Sequence, residues 1–360
     1  MNIVILAGGV GTRLWPLGRK HNPKQFFPMV STKPLIKETY DRFLKAYGPG
    51  KIYFSITPDL ERPLRKLLPK VTRSQLIIEP ERRDTAPAMG YAAAVLALKD
   101  PDEPMVFVPA DHFIADQERF LQCFRVGERL IRETGKLLDI GITATFPSTV
   151  LGYTKIGALY PVPGDVEVYR FAGHTEKPKY ATAAKYLVSG KYLWHGNYYM
   201  WTPRKFLEAF KIHQPTTARV LGQIQQALTA KRVAEVAALY SRLEKISFDY
   251  AVTEKIKKSD VLIIKGDFGW SDIGTWDMLH SQLSATADGR GNVIKGEVVH
   301  FDSKNCLLYA HDARVLAAVG LEDVVVVDTK DAVLVCPKNR AQDVKKLFPE
   351  FEKRGLKKYL

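Results

Sequence analysis

The sequence has few cysteines and no long apolar segment. Cys123, Cys306 and Cys336 are its three cysteines, and no two of them form a Cys-x-x-Cys pair. This odd, widely spaced set excludes a disulfide framework and a zinc ribbon, and indicates reduced core thiols. No apolar run approaches the ~18 residues of a membrane helix, and no signal-peptide pattern precedes the first strand. We therefore expect a cytoplasmic protein that has no membrane partner.

The chain has fewer acidic than basic residues, which raises the question of a nucleic acid partner. The 53 lysines and arginines exceed the 39 aspartates and glutamates, and the net charge is +14. The basic residues are scattered, however, and no nucleic-acid-binding motif accompanies them. An anionic small substrate uses a basic pocket equally well. We expect no nucleic acid partner.

The opening of the chain predicts a phosphate-binding loop. The mostly apolar segment Asn2–Leu6 is typical of a strand buried on both faces, and Gly8, Gly9 and Gly11 follow. Glycines let backbone N–H groups approach an anion, and Arg13 and Lys24 add cations.

Neither of the two best-known glycine loops is present. No Lys-Ser/Thr pair follows Gly11, which excludes a Walker A loop, and Leu14 stands where the dinucleotide fingerprint requires its third glycine.

Strand-like and helix-like segments alternate between residues 34 and 142. This alternation predicts an α/β fold with a mainly parallel sheet, whose ligands bind beyond the carboxyl ends of the strands. Short β-rich pieces follow a polar linker at Ala285–Asn292, and a helix is predicted over Arg340–Phe348. We predict a catalytic domain over residues 1–282 and a small β-rich domain over residues 283–360.

Two aspartates stand where the fold can hold a carboxylate rigidly. Asp111 follows the apolar run 106–110, and Asp272 lies in the glycine- and aromatic-bounded turn 266–276. Mg2+ prefers oxygen ligands and keeps several waters, so that one or two carboxylates suffice. A lone loop aspartate more often caps a helix or a turn, and Asp272 has the alternative of capping a helix over Ile273–His280. The residues alone leave both interpretations open.

The string from Leu6 to Pro16, followed by Pro23-Lys-Gln-Phe26, resembles the signature of the sugar-1-phosphate nucleotidyltransferases. Within that family the chain is most similar to the guanylyltransferases that act on mannose 1-phosphate. The resemblance implies a Rossmann-like, GT-A-like domain with a mainly parallel or mixed sheet, and a left-handed β-helix segment that supports a homodimer. It also implies Mg2+ or another divalent cation, held by Asp111 and Asp272.

The resemblance assigns nucleotide binding to the glycine loop, to the segment Glu79–Ala88 and to Asp111. The residues that it places there are Ala7, Gly8, Gly9, Gly11, Thr12, Arg13, Glu79, Arg83, Asp84, Thr85, Pro87 and Asp111. From the residues alone, Asp84 or Thr85 equally well caps a helix over Ala86–Leu98.

Three further segments resemble the sugar-binding half of the family. They supply Gly152 and Tyr153, then Glu176 and Lys177, and finally the stretch Trp194-His195-Gly196-Asn197. Typical members have asparagine directly after the tryptophan, whereas this chain has it two positions later. The sequence therefore leaves open whether His195 or Asn197 contacts the sugar.

The function that the resemblance implies is the transfer of GMP from GTP to mannose 1-phosphate. A phosphate monoester is already ionised at neutral pH, so that its attack on GTP needs no catalytic base. The catalytic residues would be Arg13, Lys24, Lys177, Asp111 and Asp272. The alternatives are a sister enzyme that uses another base or sugar, and a non-catalytic sugar-nucleotide sensor on the same fold.

Overall fold

The computed structural model describes residues 1–9, 11–20, 22–311 and 313–360. The strands are β1 (Asn2–Leu6), β2 (Ile52–Ile56), β3 (Leu76–Ile78), β4 (Met105–Pro109), β5 (Phe113–Ile114), β6 (Leu137–Thr143), β7 (Tyr153–Tyr160), β8 (Val168–Thr175), β9 (Tyr192–His195), β10 (Met200–Trp201), β11 (Val261–Gly266), β12 (Trp270–Ser271), β13 (Val293–Lys295), β14 (Val298–Phe301), β15 (Leu307–Tyr309), β16 (Leu316–Val319), β17 (Val324–Asp328) and β18 (Val333–Pro337). The α-helices are α1 (Leu35–Tyr47), α2 (Pro58–Leu67), α3 (Thr85–Ala97), α4 (Gln117–Thr134), α5 (Tyr180–Ser189), α6 (Pro203–His213), α7 (Pro215–Thr229), α8 (Val233–Tyr240), α9 (Trp276–Gln282) and α10 (Leu347–Lys353). Within these described ranges, no helix combines the length and the apolar character that crossing a bilayer requires.

The chain divides into two compact units. The large unit comprises Met1–Gly8, Tyr40–Pro109 and Ile114–Trp270. The small unit comprises Gly9–Thr39, Ala110–Phe113 and Ser271–Leu360. The predicted boundary between residues 282 and 283 divides the sequence into two domains, and it stays a prediction.

The large unit contains a mixed sheet with the strand order β11-β8-β7-β9-β6-β10-β4-β1-β2-β3. Strands β3, β2, β1 and β4 are parallel, and β6 is parallel to β11. Strands β8 and β9 both pair antiparallel with β7, which lies between them. The predicted α/β class with a mainly parallel or mixed sheet is confirmed. Leu6 pairs with Pro109, so β1 and β4 end at one edge of the sheet, where the sequence predicted ligand-binding loops.

The C-terminal part of the small unit has β-helix character. Val293 of β13, Leu307 of β15 and Val325 of β17 lie in register in three stacked parallel strands. A second row pairs β14 with β16 in parallel, and β18 closes the first row antiparallel to β17. Short parallel strands stacked in two rows agree with the β-helix segment that the resemblance implied.

One hydrophobic cluster joins the N-terminal and C-terminal segments of the small unit. Leu14 and Trp15 pack in the same buried cluster as Trp276 and Leu307. The Trp276 indole N–H donates a hydrogen bond of 2.9 Å to the Trp15 carbonyl. The loop that carries Arg13 therefore shares its core with the β-rich C-terminal segment.

The segment Arg340–Phe348 is helical, as the sequence predicted, but most of it is not α-helical. A 3-10 helix spans Lys338–Lys346, and an α-helix begins only at Leu347. The buried residues of the 3-10 segment are Ala341 and Val344. Their spacing of three matches the period of a 3-10 helix, in which residues i and i+3 lie on one side.

Candidate functional site

Lys24 is the centre of a polar cluster in the small unit. Its side chain is almost fully buried, and its Nζ lies 2.8 Å from Oδ2 of Asp111. The same Nζ donates hydrogen bonds to the carbonyls of Asp272 (2.9 Å) and Ile273 (3.3 Å). A buried ammonium is stable only with partners of this kind, so Lys24 ties the Asp111 loop to the Asp272 turn.

The two aspartates of this cluster have opposite pKa shifts. Burial alone would raise the pKa of Asp111, but Lys24 and then His112 hold it below the ordinary value. Burial raises the pKa of Asp272, and the Asp111 carboxylate adds to that shift. Lys24 and Arg13 oppose the rise without cancelling it. A like charge that raises a neighbour's pKa is the mark of two carboxylates within electrostatic reach of each other.

Two glycines make room for the charged side chains of the cluster. Gly11 has φ +68°, and a Cβ there would lie 2.7 Å from Cγ of Lys24. At Gly274 a Cβ would lie 2.7 Å from Oδ2 of Asp272 and 3.2 Å from the Arg13 guanidinium. Neither position has room for a side chain without displacing one of these groups.

Asp272 does not cap a helix. Helix α9 begins at Trp276, with Thr275 in the cap position, and Ile273 has φ +42°. The Asp272 carboxylate instead accepts a hydrogen bond from Gly274 N at 3.3 Å. The capping alternative for Asp272 is therefore wrong.

The donor set of the cluster suits a hard divalent cation. Asp111 and Asp272 offer carboxylate oxygens, and both residues are partly exposed. Carboxylate oxygens together with waters are the ligands that Mg2+ prefers. The pKa of Asp272 is raised by burial and, to a smaller extent, by the Asp111 carboxylate, and a bound cation would offset both causes.

The predicted base-binding segment lies in the large unit. Glu79 is buried at the end of β3, where its carboxylate accepts hydrogen bonds from Ser55 Oγ (2.9 Å) and from the hydroxyl of Tyr240 (2.7 Å). Burial raises the pKa of Glu79 although both hydrogen bonds oppose the shift. A Cβ at Gly8 would lie 3.9 Å from this carboxylate, so Glu79 lies beside the start of the glycine loop.

Asp84 is the N-cap of α3, which confirms one of the two capping candidates. It has φ +69°, and its carboxylate accepts from Thr85 N at 2.7 Å. The Thr85 hydroxyl accepts from Phe248 N at 2.9 Å. Pro87 is buried in the first turn of the helix. These contacts give the segment a structural role whether or not it also binds a nucleotide.

Arg82, which the sequence prediction passed over, contacts the glycine loop. Its Nε donates to the Gly8 carbonyl at 3.1 Å, and its guanidinium pairs with Asp59 at 2.8 Å. The predicted Arg83 instead pairs with Glu81 and donates to the Leu243 carbonyl.

The other residues predicted to bind the nucleotide from the glycine loop differ in burial and in hydrogen bonding. Ala7 is buried and its N–H donates to the Ser55 carbonyl at 2.9 Å. Gly9 is exposed, and its carbonyl accepts from Gln25 at 3.1 Å. Thr12 begins a short 3-10 turn that carries Arg13.

Four of the predicted sugar-binding residues adjoin one another. A Cβ at Gly152 would lie only 2.4 Å from Oε2 of Glu176, so the glycine is what lets this carboxylate lie against the backbone. Glu176 pairs with the half-exposed Lys177. The ring of Tyr153 is fully buried, and its hydroxyl accepts from Ser148 N at 2.8 Å. Tyr153 thus anchors the segment from inside the core.

His195 and Asn197 lie in contact but differ in exposure. His195 is buried, and its Nε2 lies 3.1 Å from Oδ1 of Asn197. Asn197 is exposed with φ +58°. Of the two, Asn197 is the side chain that a solute can reach.

The sequence prediction missed the buried groups behind these residues. Asp139 and Asp249 both lie within 3.2 Å of His195, and His174 lies 3.4 Å from Glu176. They come from β6, from the π-helical turn Asp249–Thr253 and from β8, and only the fold brings them together. No motif or spacing in the sequence signals this grouping.

The sequence matches two family models. One is the family described as nucleotidyl transferase, over residues 2–289, and the other is the MannoseP isomerase/GMP-like beta-helix domain, over residues 296–350. The xanthan biosynthesis protein XanB of Xanthomonas campestris pv. campestris (strain B100) is 36% identical, over 98% of this chain and 73% of that protein. The mannose-1-phosphate guanylyltransferase of Escherichia coli (strain K12) is 34% identical, again over 98% and 73%.

A solved structure is similar over nearly the whole chain. It is described as mannose-1-phosphate geranyltransferase from Thermus thermophilus, and it has a TM-score of 0.86 at 32% identity, covering 98% of this chain and 99% of that one. The family predicted from the glycine-loop motif is confirmed by these matches. This chain belongs to the nucleotidyl transferase family.

Proposed function

We propose that this protein is a mannose-1-phosphate guanylyltransferase, which makes GDP-mannose and pyrophosphate from GTP and mannose 1-phosphate. The observation that carries the proposal is the cluster of Arg13, Lys24, Asp111 and Asp272 in the small unit. The similarity over 98% of the chain to an Escherichia coli protein of that name supports this choice of substrates.

The reaction joins two anions by one displacement. An oxygen of the sugar phosphate attacks the α-phosphorus of GTP, the new P–O bond forms, and the bond from that phosphorus to the bridging oxygen breaks. Pyrophosphate leaves with the electron pair. The nucleophile is ionised at neutral pH because the second pKa of a phosphate monoester is ~6, so no side chain has to remove a proton.

The residues of this chain supply position and positive charge. Arg13 and Lys24 would stabilise the leaving pyrophosphate, and Lys177 would hold the sugar phosphate. Asp111 and Asp272 would hold Mg2+ or another divalent cation, whose chemistry is to neutralise the charge on the reacting phosphates. The raised pKa of Asp272 fits a carboxylate pair that gains from such a cation.

Other segments would bind the rest of both substrates. We infer that the glycine loop holds phosphate groups of the nucleotide and that the segment around Glu79 and Asp84 holds its base. Glu176 and Asn197 would accept and donate hydrogen bonds to sugar hydroxyls, with the backbone at Gly152 close enough to approach the ring. The homodimer and the cytoplasmic location stay predictions, and light scattering of the purified chain tests the first.

Pyrophosphate release tests the function directly. The purified chain is given GTP, UTP, dTTP, ATP or CTP, each with mannose, glucose or fucose 1-phosphate, with and without Mg2+. We expect the highest kcat/KM for GTP with mannose 1-phosphate, and no turnover in excess chelator. A higher kcat/KM for another pair would make this a sister enzyme. Nucleotide binding without any turnover would favour a sensor.

A further inference from the structure

A buried ion pair lies behind the candidate sugar-binding residues. Asp139 on β6 and His195 on β9 have side chains that are 4% and 2% exposed, and Oδ2 of Asp139 lies 2.8 Å from Nδ1 of His195. Strands β6 and β9 pair with Gly141 opposite His195. A Cβ at Gly141 would lie 2.8 Å from Cβ of Leu193, so the glycine allows β9 to pack this closely.

The second ring nitrogen of His195 faces two further groups. Its Nε2 lies 3.1 Å from Oδ1 of Asn197 and 3.2 Å from Oδ1 of Asp249. Oδ1 of Asp249 also accepts from the hydroxyl of Tyr199 at 2.7 Å. Both neighbours of Nε2 are acceptors, so this nitrogen has to carry a proton to bond either of them.

The electrostatics of the site favour a proton on both ring nitrogens. Burial opposes a charged imidazole, yet Asp139 and Asp249 together hold the pKa of His195 well above its ordinary value. His195 in turn holds the pKa of Asp249 below the ordinary value of an aspartate. The other groups that face the ring are Tyr199, at 4.8 Å between ring centres, and His174, at 5.1 Å.

The nearby carboxylates are already compensated by cations. His174, Glu176 and Asp249 lie close enough to suggest a metal site, with ligand atoms within 4.8 Å of one another. Lys177 pairs with Glu176, however, and His195 pairs with Asp249. A metal ion would have to displace both cations. Carboxylates that keep their compensating charge are instead suited to accept hydrogen bonds from neutral hydroxyls.

We propose that the Asp139–His195 ion pair positions Asn197 and Asp249 for recognition of the hydroxyl groups of the sugar phosphate. Since His195 Nε2 holds the amide oxygen of Asn197, the two N–H donors of that exposed amide stay directed by the buried pair. His195 is then a positioning residue, and Asn197 contacts the sugar. The proposal rests on the proposed function, because it assigns specificity within the same site.

The Asp139→Asn variant tests the proposal through the pH dependence of KM. The amide that this substitution introduces keeps the shape but not the charge, so His195 loses its Nε2 proton at lower pH than in the wild type. We expect the ratio of variant to wild-type KM for mannose 1-phosphate to rise from about two near pH 6 to about tenfold near pH 9, as the Nε2 donor is lost. Using the ratio cancels the titration of the substrate phosphate. The KM for GTP should change less than twofold at either pH.

Thr154→Val is the matched control. Thr154 is as buried as His195 and lies in the same sheet, on β7, but the contacts described above do not include it. Its KM ratio should not depend on pH. A flat ratio for Asp139→Asn, or an equal rise for Thr154→Val, overturns the proposal.

A spectroscopic measurement separates this proposal from the proposed function. Nitrogen NMR of His195, assigned by comparison with His195→Gln, should show both ring nitrogens protonated in the wild type at neutral pH and one deprotonated in Asp139→Asn. The side-chain amide signals of Asn197 should shift in that variant. An inactive wild type would overturn the proposed function alone, whereas a neutral His195 in the wild type, or unchanged Asn197 signals, would overturn the ion-pair proposal.

Discussion

At the scale of single residues, the candidate site depends on carboxylates whose burial is unfavourable by itself. Asp272 and Glu79 both have raised pKa values, and burial is the largest cause in each case. Groups held against a desolvation cost mark functional sites more often than ordinary surface carboxylates do. Replacing either carboxylate by an amide removes this desolvation cost. Such a substitution should therefore lower activity without lowering the stability of the fold.

Asp272→Asn should remove activity without unfolding the protein. A carboxyl whose folded pKa is raised contributes a stability that is greatest below its unfolded pKa and declines as the pH rises through the folded pKa. The amide has no such cost, so we expect the free energy of unfolding at pH 7 to stay within about 1 kcal/mol of the wild type or to rise. We expect kcat to fall by about 10²–10³. Urea unfolding and pyrophosphate release measure the two effects.

The control for this substitution is Asp277→Asn, which removes the same charge from the first turn of α9. Asp277 is not among the residues that form the polar cluster around Lys24, and its variant should keep wild-type kcat. Wild-type turnover by Asp272→Asn would eliminate the role of Asp272 in cation binding.

Glu79→Gln should leave the fold intact while it weakens GTP binding. The amide can accept from Tyr240 and donate to Ser55, so both buried hydrogen bonds have a replacement. Because the folded pKa of Glu79 is raised, the variant should gain stability relative to the wild type as the pH rises above ~4.3. Thermal unfolding between pH 4 and pH 8 tests the sign. An unchanged KM for GTP would leave Glu79 with a purely structural role.

At the scale of elements, the conformation of the glycine loop depends on the side chains that pack against it. Gly11 is in the left-handed region and lies against the Lys24 stem, whereas a Cβ at Gly9 would have none of the described atoms within 4 Å. The two glycines look equivalent in the sequence. Their different surroundings give a matched pair of substitutions.

Gly11→Ala should destabilise the small unit and displace Lys24. The alanine would adopt a strained backbone and clash with Cγ of Lys24, so we expect a loss of about 1–3 kcal/mol in the free energy of unfolding. Gly9→Ala should cost less than about 0.5 kcal/mol. Chemical denaturation of both variants compares them, and equal losses would contradict the local geometry.

Much of the element order could be predicted from the sequence, because apolar runs and helical spacing are local signals. Strands β1 and β4 are buried apolar runs, and β1 has the bounds that the sequence predicted. The helix predicted over Arg340–Phe348 is largely a 3-10 helix, since its buried residues Ala341 and Val344 do not distinguish a period of 3.0 from one of 3.6.

The candidate functional site could be predicted only in part, because some of its residues are brought together by the fold and not by a motif. Arg13 and Lys24 lie in a motif, and Asp111 ends a strand, so local patterns identify them. No local signal links Asp139 or Asp249 to His195, because this partner is distant from both in the chain. Contacts between residues so far apart in the sequence depend on the order of the strands in the sheet, which hydrophobic periodicity does not determine.

At the scale of the whole molecule, the two compact units do not follow the order of the sequence. The small unit takes Gly9–Thr39 and Ala110–Phe113 from the first third of the chain and joins them to Ser271–Leu360. The four residues of the polar cluster around Lys24 all lie in this unit; they are Arg13, Lys24, Asp111 and Asp272. The C-terminal β-rich segment is thus part of the unit that carries the candidate chemistry.

Deletion of residues 290–360 should abolish activity, although it retains the whole nucleotidyl transferase match. The deletion uncovers Leu14, Trp15 and Trp276, which lie in one core cluster with Leu307 and Val325. Loss of that burial should leave the Arg13 loop without support. We expect at least about a hundredfold loss of pyrophosphate release together with increased binding of a hydrophobic dye.

Two point substitutions control for the severity of the deletion. Leu307→Ala, in the core of β15, should cost about 2–5 kcal/mol of unfolding free energy. Phe301→Ala, whose side chain is 74% exposed on β14, should cost less than about 0.5 kcal/mol. Full activity of the shortened chain would show that the Arg13 loop needs no support from the C-terminal segment.

The shared cluster around Trp15 and Trp276 also limits how such proteins can be recombined. A chimera that joined residues 1–289 to the matching C-terminal β-helix segment of a relative would keep every catalytic motif and still fail if the new side chains did not fit Leu14 and Trp15. Whether the two joined parts are compatible therefore depends on the volume and shape of the side chains that pack together. Donor segments for such chimeras are best chosen by the residues that meet these two side chains, and not by overall sequence identity.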